Sequence, residues 1–179
     1  VILNYFQKCT SGDIFFCSVD GNVIRAMEGY SINTDLPLND VDLSQVRSLI
    51  VPGGEIARID RPVVMDTLRI LNDRGVLIAG ICAGVDLLER AGILDGRKTV
   101  HSEDADCIRD GNILTARANA YVDFAIEAGK ALDLFEDERD LRETVDFWKL
   151  FKRAQAYWER GLLEDEKWRV KMQNRLNDA

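Results

Sequence analysis

The stretch Val76-Leu77-Ile78-Ala79-Gly80-Ile81-Cys82-Ala83-Gly84 decides how this chain folds. Its first part is apolar throughout, which is typical of a strand buried on both faces of a parallel sheet. Small residues then surround one nucleophilic side chain, Cys82, and a helical pattern follows through Glu89. A strand, a tight turn that carries a nucleophile, and a helix have the composition of a nucleophile elbow. The sequence therefore predicts Cys82 as the reactive centre.

The same arrangement occurs once before in the chain. Residues 48–51 form a short apolar run ahead of Pro52-Gly53-Gly54, and a helix with an inner stripe at Val64, Leu68 and Leu71 follows. Strands alternating with helices, when the strands are apolar throughout, favour a parallel sheet covered on both faces. We therefore predict a flavodoxin-like three-layer α/β/α sandwich with a mostly parallel sheet, whose ligands bind at the carboxyl ends of the strands.

Weaker patterns fill in the rest of this α/β part. The dipeptide Asp20–Gly21 between two β-prone runs predicts a hairpin. The other predicted elements are a helix at Val1–Gln7, strands at Ile14–Val19, Asn22–Met27, 98–101 and 113–116, and a helix at Tyr121–Leu132.

The character of the chain changes after Phe135. Residues 136–179 contain eleven acidic and ten basic residues and all three tryptophans. Phe147, Phe151, Ala154 and Trp158 recur at helical spacing, so this stretch is predicted to form helices with one apolar face. We therefore divide the chain into an α/β domain, residues 1–135, and a helical extension, residues 136–179. The apolar face needs a surface to pack on, either the body of the same subunit or a partner subunit.

Charge and cysteine spacing exclude several classes of function. The net charge of −8 disfavours binding to nucleic acid or to an anionic membrane, and no apolar run is long enough to span a bilayer. Cys9, Cys17, Cys82 and Cys107 are widely separated and His101 is the only histidine, so the spacing predicts no zinc site. We expect no metal and no cofactor, and widely spaced cysteines without a signal peptide suit the cytoplasm.

The predicted elbow suggests a set of catalytic groups. A helix N-terminus beside Cys82 favours the thiolate, and the N–H groups of Ala83 and of the Gly53–Gly54 turn are candidates to hold an oxyanion. His101 follows one strand later and is a candidate acid or base. Two plainer interpretations remain open: Cys82 as an inert buried thiol, and His101 as a surface residue at a strand end.

At these residues the chain resembles the ThiJ/PfpI superfamily, which has a class I glutamine amidotransferase-like fold. The resemblance covers residues 13–135, and it rests on Val51-Pro52-Gly53-Gly54, Ala79-Gly80-Ile81-Cys82-Ala83-Gly84, Leu94-Asp95-Gly96-Arg97, Thr99-Val100-His101, Asp110-Gly111-Asn112-Ile113-Leu114-Thr115-Ala116 and Asp123-Phe124-Ala125. It implies a homodimer. It also implies a cysteine-dependent hydrolase or lyase acting on a small carbonyl or amide-type substrate, with amidase, glyoxalase-like or hydratase chemistry.

Two departures from the superfamily pattern limit what the resemblance implies. The PfpI-type peptidases have histidine directly after the nucleophile, whereas this chain has Ala83, so robust peptidase activity is not expected. The superfamily also has a first strand and a partner carboxylate, and we expect both to lie before Val1. Without an adjacent base, the alternative function is a cysteine-based sensor of oxidative stress, or a chaperone-like stress protein without robust turnover.

Overall fold

The structure is a computed structural model, which describes residues 14–26 and 29–150. The chain divides after Glu138 into two compact units. Within the described ranges, no helix is both long enough and apolar enough to cross a membrane. The predicted helix at Val1–Gln7 lies outside the described residues, as does the part of the extension beyond residue 150.

Strands and helices alternate through most of the first unit. The strands are β1 (Cys17–Ser18), β2 (Ile24–Arg25), β3 (Ser31–Ile32), β4 (Leu36–Pro37), β5 (Ser48–Val51), β6 (Leu77–Ile81), β7 (Cys107–Asp110) and β8 (Ile113–Ala116). The helices are α1 (Pro62–Asp73), α2 (Ala83–Arg90) and α3 (Tyr121–Ala131), and the second unit contains α4 (Glu138–Trp148) apart from its first residue. Short 3-10 turns lie at Leu38–Asp40, Leu43–Gln45, Ile56–Arg58 and Ala118–Ala120.

The main sheet has the order β5-β6-β8-β7. β5, β6 and β8 run parallel, and β7 pairs antiparallel with β8 at one edge. β6 therefore lies between two parallel neighbours, and its first four residues, Leu77–Gly80, are buried. The predicted mostly parallel sheet is confirmed, and the elbow follows its central parallel strand.

Side chains alternate between the two faces of this sheet, and each face is covered by helices. Ile78 and Ile113 pack in one apolar cluster with the inner faces of α1 and α2. A second cluster contains Leu77, which precedes Ile78, and Leu114, which follows Ile113, together with Phe124 of α3. The sheet thus lies between two helical layers, which is the predicted three-layer α/β/α sandwich.

The predicted hairpin at Asp20–Gly21 is wrong. β1 pairs in parallel with β4, and β2 pairs antiparallel with β3, so the two strands that flank the dipeptide do not pair with each other. The Asp20 carboxylate instead accepts hydrogen bonds from the backbone and side-chain amides of Asn22. Thr34 Oγ1 donates to the Gly21 carbonyl at 2.6 Å, which ties this turn to the chain just before β4.

The predicted strand at residues 98–101 is also wrong, because this segment forms a turn. The Thr99 carbonyl accepts hydrogen bonds from the N–H groups of Ser102 and Glu103. Val100 N–H donates to the Thr115 side chain rather than to a neighbouring strand. The fourth strand of the sheet is β7 instead. Its sequence pattern is weak, because the strand has only four residues, and the apolar Cys107 and Ile108 are followed by the charged Arg109 and Asp110 without alternation.

Leu68 tests the packing of α1 against the sheet, because its side chain is fully buried in the first cluster. We expect Leu68→Ala to lower the free energy of unfolding by about 2–5 kcal/mol, through lost burial and a residual cavity. Ile70 lies on the same helix but is 47% exposed, so Ile70→Ala should change it by no more than about 0.5 kcal/mol. Urea unfolding followed by circular dichroism measures both, and equal losses would contradict this packing.

Candidate active site

Cys82 lies between β6 and α2 in a backbone conformation that L-residues rarely adopt, with φ 55° and ψ −132°. Its N–H donates to the Ala116 carbonyl at 2.9 Å, so the turn continues the pairing of β6 with β8. The side chain is exposed. A strained, exposed nucleophile at a strand-to-helix turn is the geometry of a nucleophile elbow.

Glycine at positions 80 and 84 allows this turn to form. A Cβ on Gly84 would lie 2.3 Å from the Val51 carbonyl oxygen and 2.9 Å from that of Pro52. A Cβ on Gly80 would lie 3.1 Å from the Leu88 side chain and 3.2 Å from the Gly84 backbone. Helix α2 therefore starts in direct backbone contact with the loop that follows β5. The sequence pattern places both glycines at the elbow, but it does not indicate which chain segment they approach.

Gly53 lies directly beside the thiol. A Cβ at this position would lie 2.7 Å from Cys82 Cβ and 3.1 Å from Cys82 Sγ. Gly54 has φ 133°, a conformation suited to glycine, and its carbonyl accepts a hydrogen bond from Ile56 N–H. The structure therefore brings together the two Gly-rich turns that the sequence singled out, with Gly53 closest to Cys82.

The start of α2 supplies the positive electrostatics of the site. Ala83 and Gly84 are its first residues, and N–H groups at a helix start have no acceptor within their own helix. The positive end of the helix dipole lies at the same place. The Asp86 carboxylate, also in the first turn, adds a negative charge nearby. An anionic atom beside Cys82 would therefore find backbone donors there.

His101 lies beside α2 rather than against the thiol. Its Nε2 is 3.5 Å from Asp86 Oδ1 and its Nδ1 is 3.4 Å from Glu89 Oε2. Among the described residues no hydrogen bond joins His101 to Cys82. Asp86 lies four residues after Cys82, or roughly one helical turn of about 5.4 Å along α2. The i,i+3 spacing of Asp86 and Glu89 is visible in the sequence, but no local pattern connects it to His101.

The other described cysteines occupy different surroundings. Cys17 lies half-buried in β1, and burial together with the negative charge of Asp35 raises the pKa of its thiol. Cys107 is half-buried at the start of β7, against the second apolar cluster. Cys9 lies outside the described residues. Of the three described cysteines, Cys82 alone is exposed at a helix N-terminus.

Comparison with known proteins gives a consistent result. The model of the DJ-1/PfpI family matches residues 3–131. A Thermococcus kodakarensis protein named deglycase TK1284 is 31% identical over 122 residues, which cover 59% of this chain and 73% of that protein. Deglycase PH1704 of Pyrococcus horikoshii is 28% identical over 125 residues, covering 60% of this chain and 75% of that protein.

A solved structure has the same fold. The DJ-1 superfamily protein Atu0886 of Agrobacterium tumefaciens superposes with a TM-score of 0.70 at 24% identity, over 82% of this chain and 89% of that protein. At this level of identity the likeness concerns the fold alone.

Thiol labelling tests the site directly. We expect limiting iodoacetamide at near-neutral pH to modify Cys82 first, because its side chain is exposed at a helix start. Cys17 should react slowly, since its raised pKa leaves less thiolate at that pH. Asp35→Asn removes a charge that raises this pKa, so it should speed labelling of Cys17 and leave Cys82 unchanged. Peptide mass spectrometry reads out each cysteine, and earlier labelling of Cys17 or Cys107 in the folded protein would contradict the assignment.

Proposed function

The chain belongs to the DJ-1/PfpI family, and from that premise we propose that it is a cysteine-dependent hydrolase or lyase acting on a small carbonyl or amide-type substrate. Cys82 is its nucleophile. The names of the deglycase relatives support a reaction at a carbonyl-derived carbon. Amidase, glyoxalase-like and hydratase chemistry all use this arrangement, and fold alone does not choose among them.

The observation that carries the proposal is the elbow itself. Cys82 holds a strained backbone conformation, and Gly53 leaves room beside its side chain, since a Cβ there would lie 2.7 Å from Cys82 Cβ. A buried structural cysteine has no need of such a turn, whereas a nucleophile must project from the sheet toward its substrate. The site lies at the carboxyl ends of β5 and β6, where open parallel sheets bind ligands.

The proposed first step is addition of the Cys82 thiolate to the substrate carbon. A sulfur–carbon bond forms, the π bond of the carbonyl breaks, and its electron pair moves to oxygen. The N–H groups of Ala83 and of the Gly53–Gly54 turn stabilise that oxyanion, which then takes up a proton. In an amide, the oxyanion instead re-forms the carbonyl while the C–N bond breaks and the amine nitrogen takes up a proton, which leaves a thioester. Water then hydrolyses the thioester to a carboxylic acid and the free thiol.

His101 is included in the proposal as a proton-transfer group. Its ring lies along α2 beside Asp86, so it acts on the reacting oxygen through a bridging water or through the bound substrate. A homodimer and a cytoplasmic location are further parts of the proposal that rest on the family resemblance and on cysteine usage. Because Ala83 follows the nucleophile, the proposal excludes efficient peptide-bond cleavage in large proteins.

A second candidate function is supported by the surroundings of the thiol. Cys82 is exposed, and among the described residues no histidine hydrogen-bonds to it. An accessible thiol at a helix start reacts readily with peroxide, giving sulfenic acid on sulfur and water from the peroxide. In this case the protein reports oxidative stress and turns over no substrate.

Turnover separates the two candidates. We expect the wild-type protein to consume a small α-oxoaldehyde or a simple amide, and Cys82→Ser to lower kcat/KM by at least about 10³-fold because the nucleophile is lost. Cys17→Ala, outside the site, is the matched control and should keep the wild-type rate. Product formation by nuclear magnetic resonance is the measurement. Stoichiometric peroxide oxidation of Cys82 without turnover of either substrate would favour the sensor instead.

His101 has a test of its own. We expect His101→Gln to lower kcat about 10²-fold, the usual contribution of a general acid or base, while iodoacetamide still labels Cys82 at the wild-type rate. Assays contain a chelator, so that metal ions cannot affect the comparison. Asp104→Asn serves as the control because the Asp104 carboxylate pairs with Arg117, whereas the carboxylates beside His101 are those of Asp86 and Glu89. An unchanged kcat in His101→Gln would remove His101 from the mechanism and leave Cys82 in place.

A further inference from the structure

We propose that Asp86, Glu89 and His101 form a binding site for one divalent transition-metal ion of the Zn²⁺ type. Each of these side chains offers a ligand atom, and the three atoms lie within 4.8 Å of one another. The site is separate from the elbow thiol, and it stands whether or not His101 transfers protons in the reaction. Cysteine and histidine spacing predicted no metal site because two of the donors are carboxylates.

The two carboxylates share one face of a helix. Asp86 and Glu89 are three residues apart in α2 and therefore neighbours on its surface. Leu87 and Leu88 between them are fully buried in the first apolar cluster. The helix is thus held against the sheet, which fixes the place from which both carboxylates project.

The histidine comes from a separate segment that is fixed as firmly. Thr99 and Val100 are 3% and 5% exposed, respectively. Val100 N–H donates to Thr115 Oγ1 at 3.2 Å, and His101 N–H donates to Thr99 Oγ1 at the same distance. The turn is therefore bound to β8, and the His101 ring projects from it toward α2.

The distances suit a shared ion better than direct hydrogen bonds. His101 Nε2 lies 3.5 Å from Asp86 Oδ1, and Nδ1 lies 3.4 Å from Glu89 Oε2. Both separations exceed the 2.7–3.2 Å range of an N–H···O hydrogen bond. Ligands bound to Zn²⁺ at about 2.1 Å in a tetrahedron are about 3.4 Å apart. The two distances involve different ring nitrogens, and a single ion would bind one of them; one nitrogen and one oxygen of each carboxylate lie within 4.8 Å of one another.

The donor set selects the class of ion. Imidazole nitrogen favours Zn²⁺, Cu²⁺, Fe²⁺ and Ni²⁺ over Mg²⁺ and Ca²⁺, which prefer oxygen ligands alone. Two carboxylates with a neutral imidazole carry a charge of −2, which balances a divalent cation. Three protein ligands leave one coordination position for water, as in open zinc sites.

Cobalt is a direct probe, since Co²⁺ reports its ligands by absorption. Tag-free wild-type protein should bind one Co²⁺ with visible d–d bands and without the near-ultraviolet band of a cobalt–thiolate bond, and Zn²⁺ should displace it. His101 is the only histidine, so paramagnetic shifts of a single imidazole identify the nitrogen ligand in nuclear magnetic resonance spectra. Absence of binding, or a thiolate band that disappears in Cys82→Ser, would overturn the proposal.

Three isosteric or near-isosteric substitutions complete the test. We expect each of three variants to weaken Co²⁺ binding by at least about tenfold: Asp86→Asn, Glu89→Gln and His101→Gln. Removing a residue that only hydrogen-bonds to a metal ligand already costs at least about tenfold in affinity, so removing a ligand should cost no less. Asp104→Asn changes the net charge as much as either carboxylate variant but lies outside the cluster, so its affinity should match the wild type. Equal affinities in all four variants would show that the ion is held elsewhere, and the proposal would fail without affecting the role of Cys82.

Discussion

The close backbone contact between Gly84 and the carbonyl groups of Val51 and Pro52 positions the other groups of the site. No side chain fits between Gly84 and the carbonyl groups of Val51 and Pro52, so the first turn of α2 rests directly on the end of β5. This contact brings Gly53 to Cys82 and places the helix N-terminus over the carboxyl end of the sheet. A larger residue at position 84 would displace α2 and separate the thiol from the loop proposed to assist it.

The buried sheet gives this contact its rigidity. β6 lies between two parallel strands, and its side chains enter two different apolar clusters that are covered by helices. If β6 shifted by one residue in its pairing register, the side chains that now enter one cluster would face the other. The elbow therefore begins from a fixed point, whereas the small two-stranded pairs near the start of the described chain are less constrained.

The parts of the structure that were predictable from sequence are those encoded by local patterns. Apolar runs ending in glycine identified β5, β6 and the elbow at Cys82, because burial on both faces and a tight turn each leave a signature within a few residues. The partner of β1 is β4, a pairing that no local pattern indicates. His101 follows a turn held by the Thr115 side chain. The order of predicted strands in a parallel sheet suggested that His101 lies near Cys82. The direction in which the turn projects the His101 ring could not be predicted from that order.

The backbone conformation of Cys82 has an evolutionary consequence. A φ of 55° with a ψ of −132° is strained for every L-residue, at a cost of about 1–3 kcal/mol, and only glycine adopts it freely. Selection for stability alone would therefore drive position 82 toward glycine. A lineage that keeps cysteine there therefore bears a standing cost in stability at this position.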